Sequence, residues 1–317
     1  ASFGTNTQEG YINTGLFRKY NFKTNLTHKI NKYLKLNINL GVNQKFNQKV
    51  EQESSSLKVL RTAREEQPWY SPYDELGNYK VNAGLNIVRH NPVMLIKEEN
   101  WTVNGLTGLG TISLNFTPIE GLKYTPSISG YGYLSDEIKK LTEKHDARKN
   151  SWPAITQNRN ESYRYVVNNV LSYTNNVGDL NYTALIGHEF WYRAFNDFGA
   201  KSETYLNGAF PSSSFDLLNA GAYIYADGIG YGAYAVESYF SRLTLDYKDR
   251  YFVNASIRKD ASSKLTKEIR DGYFPSASFA WKASNEKFFP KQNIVNDLKL
   301  RVSWGQTGSI DPIGNFN

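Results

Sequence analysis

The stretch YFSRLTLDYKDRYFVNASIRK, residues 239–259, decides the fold because it repeats one alternation on both sides of a polar break. Before the break the odd-numbered positions are apolar except for Ser241, and after it those from Tyr251 to Ile257 are apolar. A period of two predicts strands with one apolar and one polar face. The charged break Lys248-Asp249-Arg250 predicts a tight turn, so the stretch is a predicted hairpin.

The same alternation recurs along the chain and predicts about ten antiparallel strands. Leu34, Ile38 and Val42 alternate with lysine, asparagine and glycine in the clearest example. The predicted strands are 20–30, 34–42, 106–117, 122–133, 161–174, 180–195, 236–247, 251–260, 273–282 and 298–304.

The predicted connections alternate between short and long. Tight turns are expected at 31–33, 118–121, 175–179 and 248–250, whereas 47–105, 134–160 and 196–235 are expected to be long polar loops. One end of the sheet therefore carries turns and the other carries loops. Outer-membrane β-barrels have this arrangement, with short periplasmic turns and long external loops. Lipid is accordingly predicted on the apolar face.

Composition agrees with a membrane barrel and disfavours several other classes. The chain has 23 Tyr and no Cys, and its net charge of +7 is scattered along the sequence. Tyrosine is typical of the girdles where barrels cross the lipid–water boundary. Scattered charge does not indicate a nucleic-acid-binding surface. The mean hydropathy of −0.56 and the lack of a run of about 20 apolar residues argue against helical membrane spans.

A sheet that spans lipid must close, because hydrocarbon cannot satisfy free backbone groups at its edges. About ten strands could close alone or could belong to a larger barrel. No secretory signal is visible at the start of the sequence, residues 1–4, and no strand pattern follows Gly308. The chain is therefore expected to be a part, residues 1–317, of a single transmembrane barrel domain.

Three ordered motifs carry a family resemblance. They are RYFVNASIRKDASSKL at 250–265, GYFPSASFAW at 272–281 and LKLRVSWGQTG at 298–308. Together they resemble the SusC/RagA family of TonB-dependent outer-membrane transporters from Bacteroidetes-type bacteria. The chain departs from the family pattern at Ala261 and Leu265, where glycine and an aromatic residue are usual, and at Lys264, where arginine is common.

The resemblance implies a barrel of about 22 strands with a plug in its lumen. It also implies import of glycans or peptides with energy relayed by TonB, and a SusD-like surface lipoprotein as partner. The plug, the TonB-contacting segment and the closing strands are not recognisable in this chain. They are expected to lie outside it.

No catalytic or metal-binding pattern is present. His28, His90, His145 and His188 lie far apart in the sequence without ligand spacing. Gly228–Gly232 has the glycine content of a phosphate loop, but no strand–helix context surrounds it, so a flexible loop is expected. The chain is predicted to be no enzyme and to bind no cofactor.

Three sets of residues are candidates for contact with a substrate or partner. The first set could stack on a sugar or contact the lipoprotein, or could simply pack the first long loop; it comprises Trp69, Tyr70 and Tyr73. The second set is expected in an external loop and comprises Tyr223, Tyr225, Tyr231 and Tyr234. The third set is expected to line the barrel lumen, wetting it or contacting a plug, and comprises Lys35, Asn37, Asn39 and Asn43.

The sequence thus predicts TonB-dependent import of an oligosaccharide or peptide across the bacterial outer membrane. A passive outer-membrane porin is the alternative with the same architecture. A soluble, secreted β-rich binding protein, whose apolar faces pack against each other, is the alternative from another class.

Overall fold

The computed structural model describes residues 1–12, 15–50, 59–67, 69–80, 91–142, 144–145, 153–205, 221–289 and 295–309. In these residues one antiparallel sheet of eleven strands follows the order of the chain, each strand pairing with its neighbours in sequence. Its two edge strands do not pair with each other within the described ranges. The predicted all-β, up-and-down antiparallel fold is confirmed.

The elements have the following bounds. The first three strands are β1 (Ser2–Glu9), β2 (Leu16–Lys29) and β3 (Leu34–Lys49), followed by the short helices α1 (Val59–Glu65) and α2 (Pro92–Lys97). The remaining strands are β4 (Glu99–Ile119), β5 (Leu122–Leu141), β6 (Ala154–Val177), β7 (Leu180–Tyr205), β8 (Gly221–Tyr247), β9 (Tyr251–Ser262), β10 (Asp271–Lys282) and β11 (Lys299–Gly305). Neither helix has the length and apolar character needed to cross a membrane.

The strand register keeps the two faces of the sheet distinct. Leu26, Ile38, Ile112, Ile128 and Val167 lie directly opposite one another on β2 to β6. Successive side chains of a strand point to opposite faces, so these residues share what we call the apolar face. The neighbouring row on the other side, the polar face, begins with an asparagine pair on β2 and β3 and continues with threonine and serine: Asn25, Asn39, Thr111 and Ser129.

The two ends of the sheet differ as predicted. At what we call the turn end, four hairpins close through two to four residues each: 30–33, 120–121, 178–179 and 248–250. Gly121 and Gly178 adopt positive φ angles there, of 81° and 60°. The opposite end, the loop end, holds the long connection that contains both helices. One departure occurs at the turn end, where β10 and β11 are joined through the sixteen-residue stretch 283–298.

Several strands are longer than the sequence pattern predicts. β5 continues to Leu141, and β8 begins at Gly221, so parts of the expected loops 134–160 and 196–235 are sheet. Gly228–Gly232, expected as a flexible loop, also lies within β8. The pattern stops early because a strand with water on both faces needs no apolar alternation. For the same reason the polar strand β1 was missed.

A single sheet has little interior, and its buried residues lie mainly toward the loop end. There the helices of the long connection meet the sheet, and the buried apolar side chains include Val59, Met94, Leu95, Val103 and Ile155. At the loop end, side-chain packing therefore contributes to the structure in addition to the backbone pairing of the strands.

Candidate substrate-contact site

Asn91 organises the long connection between β3 and β4. Its side-chain oxygen accepts hydrogen bonds from the backbone N–H groups of Val93 (3.0 Å) and Met94 (3.2 Å), which caps α2. Its amide nitrogen donates to the carbonyl oxygens of Pro72 (2.7 Å) and Lys80 (2.9 Å). One buried amide thus joins the start of a helix to two points of the segment 72–80, and every polar atom of its side chain has a partner.

The segment 73–79 is a tight turn built on Asp74. Its carboxylate accepts from the backbone N–H groups of Leu76 (2.9 Å) and Asn78 (2.7 Å), and Gly77 supplies a positive φ of 80°. The turn brings the rings of Tyr73 and Tyr79 to 5.5 Å between centroids. This local geometry requires the order Asp, then Gly three residues later, which the sequence has.

Tyr79 fastens this turn to the sheet. Its hydroxyl donates to the Glu98 carboxylate at 2.7 Å, and the same carboxylate accepts from the Thr142 hydroxyl just beyond β5. Burial, together with the Glu98 carboxylate, raises the pKa of Tyr79. Lys97 donates to the Tyr73 hydroxyl at 3.0 Å. The described parts of this connection therefore form a folded cap on the loop end.

The three aromatic candidates in this connection have different surroundings. Trp69 is 80% exposed, whereas Tyr73 is held by Tyr79 and Lys97. Tyr70 lies under the Lys80 ammonium, 5.4 Å from its ring centroid, and lines a cavity of about 170 Å³ beside Asn91. Of the three rings, that of Trp69 is the most exposed and therefore the most open to a ligand, whereas Tyr73 packs within the connection.

The four tyrosines expected in an external loop all lie in strand β8, so that assignment was wrong. The register places Tyr234 on the polar face opposite Arg193, whereas Tyr231 faces the other way with the apolar row. Tyr225 is on the polar face with Lys201 5.6 Å from its ring centroid, and Tyr223 shares that face. The set is therefore divided between the two faces.

Tyr234 belongs to a buried cluster that extends beyond the predicted candidates. The Trp191 ring meets it edge-on at 5.1 Å between centroids, and the Lys264 ammonium lies 4.2 Å from its centroid. Lys264 is one of the residues at which this chain departs from the family pattern, and its side chain is buried. The neighbouring departure, Ala261, lies in β9.

The third set of candidates is placed on one face, as predicted from alternation. Lys35, Asn37, Asn39 and Asn43 all lie on the polar face of β3. Asn37 accepts a hydrogen bond from the Thr27 hydroxyl at 3.1 Å on the neighbouring strand. Whether these residues contact a plug or water stays a prediction.

Two further clusters on the polar face were not identified from the sequence. Trp101 lies between two ammonium groups, those of Lys49 and Lys139, at 4.6 and 4.4 Å from its ring centroid, and its indole N–H donates to Glu137. Arg258 donates to Glu189 and Asp260, both at 2.6 Å. Apart from Asp260, which lies two residues from Arg258 on the same strand, these partners come from different strands, so only the register could have revealed them. Within the described ranges no group of acidic or histidine side chains could hold a metal ion, and His90 lies outside those ranges.

Several known proteins are similar to this chain in sequence or in fold. The TonB-dependent receptor P39 of Formosa agariphila is 36% identical over 83 residues, which are 26% of this chain and 8% of that relative. The TonB-dependent receptor SusC of Bacteroides thetaiotaomicron is 35% identical over 71 residues, 22% of this chain and 7% of that relative. The RagAB peptide importer in its closed-closed state superposes with a TM-score of 0.77 at 22% identity.

This chain resembles the SusC/RagA-type TonB-dependent transporters in sequence and in fold. The superposition covers 99% of this chain but only 35% of the RagAB chain, so the chain spans about a third of the length of that neighbour. No protein-family model matches the chain. The resemblance inferred from the motifs at 250–308 is confirmed.

Proposed function

We propose that this chain forms part of the wall of an outer-membrane β-barrel that imports an oligosaccharide or peptide in a TonB-dependent manner. The observation that carries the proposal is the sheet itself, eleven antiparallel strands in chain order with one apolar and one polar face. The apolar face meets lipid and the polar face lines the lumen. The resemblance to TonB-dependent receptors supports energised import over passive diffusion.

The strand lengths fit this placement. About ten residues of a tilted strand cross the 25 Å apolar band of an outer membrane. The strands β4 to β8 are 20 to 27 residues long, so they extend well past that band at the loop end. Because lipid cannot pair with the free edges of β1 and β11, further strands must complete the barrel. The folded cap on the loop end lies outside the cell, where a SusD-like surface lipoprotein could contact it.

Two arginine substitutions at adjacent positions test the membrane placement. Ile38 lies on the apolar face four residues from the start of β3, about 10 Å from the turn end and so within the apolar band. Ile38→Arg should lower the free energy of unfolding by about 2–4 kcal/mol, because it buries a charge in hydrocarbon. Asn39→Arg should lower it much less, since that side chain points into water.

The measurement is urea unfolding of the full protein folded into lipid vesicles. Equal losses at the two positions would contradict the two-faced assignment. A protein that stays monodisperse without detergent would favour a soluble β-rich binding protein. Import that continues in cells lacking TonB would favour the passive porin.

A further inference from the structure

Like-charged side chains lie directly opposite one another at two places on the polar face, toward the loop end. Lys19 faces Lys45 across β2 and β3, and Arg164 faces Arg193 across β6 and β7. Directly opposed side chains have Cβ atoms about 5 Å apart, and like charges at that distance destabilise the sheet. Within the described parts of the chain none of these four cations has an ion pair with a carboxylate.

These pairs lie in the two outer rows of three adjacent rows that run across β2 to β8, and we call the three rows the cationic belt. Besides the two pairs, the belt contains one more cation, Lys23, and a single carboxylate, Asp197. The belt also contains four aromatic rings, Tyr131, Tyr133, Phe195 and Tyr234, and six amide or hydroxyl side chains, among them Asn43 and Ser162. Five cations against one carboxylate leave a strong positive excess on one band of the wall.

The nearest other carboxylates do not neutralise the belt. Glu137, in the next row toward the loop end, accepts from Trp101 and pairs with Lys49 at 3.5 Å. Glu189, in a row on the other side of the belt, pairs with Arg258 at 2.6 Å. Among the residues that the structure describes, these acids are already engaged, so the belt is open to negative charge from a bound ligand.

Aromatic rings and a glycine position some of the charged side chains of the belt. Lys45 crosses Gly105, where any Cβ would meet its side chain at 2.5 Å, and its ammonium lies 5.5 Å from the centroid of Tyr133. The Arg164 guanidinium lies 5.8 Å from the centroid of Tyr131. Lys45 and Arg164 are therefore held beside aromatic rings along the wall rather than left to extend freely.

We propose that the cationic belt binds a carboxylate-bearing oligosaccharide, and that acidic sugars are the substrate class of this importer. Carboxylates would pair with the arginines and lysines, sugar rings would lie on the tyrosines, and the amide and hydroxyl side chains would bond the sugar hydroxyls. An acidic peptide shares the charge but uses less of this dense array of small hydrogen-bonding groups. The proposal rests on the polar face being the lumen wall of an importer.

The test uses the full-length transporter and a hexamer of galacturonic acid as probe, with a galactose hexamer as neutral counterpart and hexaglutamate as acidic peptide. Binding is measured by calorimetry in detergent, which needs no energy source. The acidic hexamer should bind more tightly than the other two and should weaken with added salt. Arg164→Gln with Arg193→Gln should weaken that binding about tenfold or more, as the loss of one charge-assisted contact predicts.

Lys259→Gln is the matched control, because it removes a positive charge from the apolar face, where Lys259 pairs with Asp271. Lys259→Gln should leave binding of the acidic hexamer unchanged. The double variant Arg164→Lys with Arg193→Lys keeps both charges and should retain most of the affinity. Unchanged affinity in the double glutamine variant, equal binding of the neutral hexamer, or tighter binding of hexaglutamate would each overturn the proposal.

Uptake measured in parallel separates this proposal from the importer proposal. TonB-dependent uptake of the neutral hexamer alone would overturn the belt proposal and keep the importer. Tight belt-dependent binding of the acidic hexamer without TonB-dependent uptake of any probe would overturn the importer and keep the binding site.

Discussion

The turn end and the loop end of this sheet are determined by different kinds of interaction. At the turn end, strands close through a few residues whose own conformations decide the geometry, such as Gly121 and Gly178. At the loop end, strands of unequal length meet a cap held together by contacts between distant residues, such as Asn91 with Pro72. Local backbone conformation thus dominates at the turn end, and contacts between distant residues dominate at the loop end.

The largest effect that separates the two ends is expected at Gly121. Its φ of 81° disfavours any side chain, and a Cβ there would lie 2.3 Å from the Thr174 carbonyl oxygen, a backbone atom that cannot turn aside. Gly121→Ala should therefore lower the free energy of unfolding by about 3 kcal/mol, measured by urea unfolding in lipid vesicles.

Gly178→Ala is the control at the same end of the sheet. Gly178 has a similar φ of 60°, but nothing lies within 4 Å of the position of a Cβ. Only the backbone penalty remains, so the loss should be about 1 kcal/mol. If both variants lost the same amount, the close approach of β6 to the 120–121 turn would not contribute.

A smaller and more local effect is expected from Asn91→Ala at the loop end. The substitution removes the cap of α2 and leaves the carbonyl oxygens of Pro72 and Lys80 without this donor. The cap should lose about 2 kcal/mol of local stability. Hydrogen exchange should therefore speed up in α2 and in 72–80 while the strands keep their protection.

Asn91→Asp provides the comparison for that variant. A carboxylate keeps the acceptor for the N–H groups of Val93 and Met94 but loses the donor to Pro72 and Lys80, so it separates capping from the long-range link. Exchange that spreads into β4 in either variant would mean that the cap and the sheet unfold together, and the contrast between the two ends would fail.

The same contrast explains what could be predicted from the sequence. Alternation identified ten of the strands and the four short turns, because both signals lie within a few neighbouring residues. It did not reach residues 134–141 or 221–235, where the strands continue without a regular alternation of apolar and polar residues. There the backbone pairing with neighbouring strands, not the side-chain pattern, keeps the chain extended.

The candidate residues show the same limit. Lys35, Asn37, Asn39 and Asn43 were placed on one face correctly, since alternation within one strand is enough for that. The opposition of Arg164 and Arg193 depends on the register of β6 with β7, and a shift by one residue would move each side chain to the other face. No local pattern near either arginine contains that information.

The smallest effect is expected at Glu286, in the one long connection of the turn end. Its carboxylate accepts from the Tyr251 hydroxyl (2.6 Å) and the Trp281 indole N–H (3.1 Å), and it pairs with Arg250 (3.1 Å). These contacts, with that of Tyr251 the strongest, lower the pKa of Glu286. The carboxylate therefore stabilises the fold above its ordinary pKa of 4.5, and this contribution is lost as the pH falls through its lower folded value.

Glu286→Gln should remove that pH dependence, because the neutral amide keeps an acceptor for Tyr251 but loses the attraction to Arg250. The stability of the natural protein should fall more steeply than that of the variant between about pH 5 and pH 3. Glu120→Gln, an exposed substitution in the 120–121 turn, serves as control and should follow the natural protein. If the stability of Glu286→Gln had the same pH dependence as that of the natural protein, the Glu286 carboxylate would not stabilise the 283–298 connection. The turn end would then depend on its short turns alone.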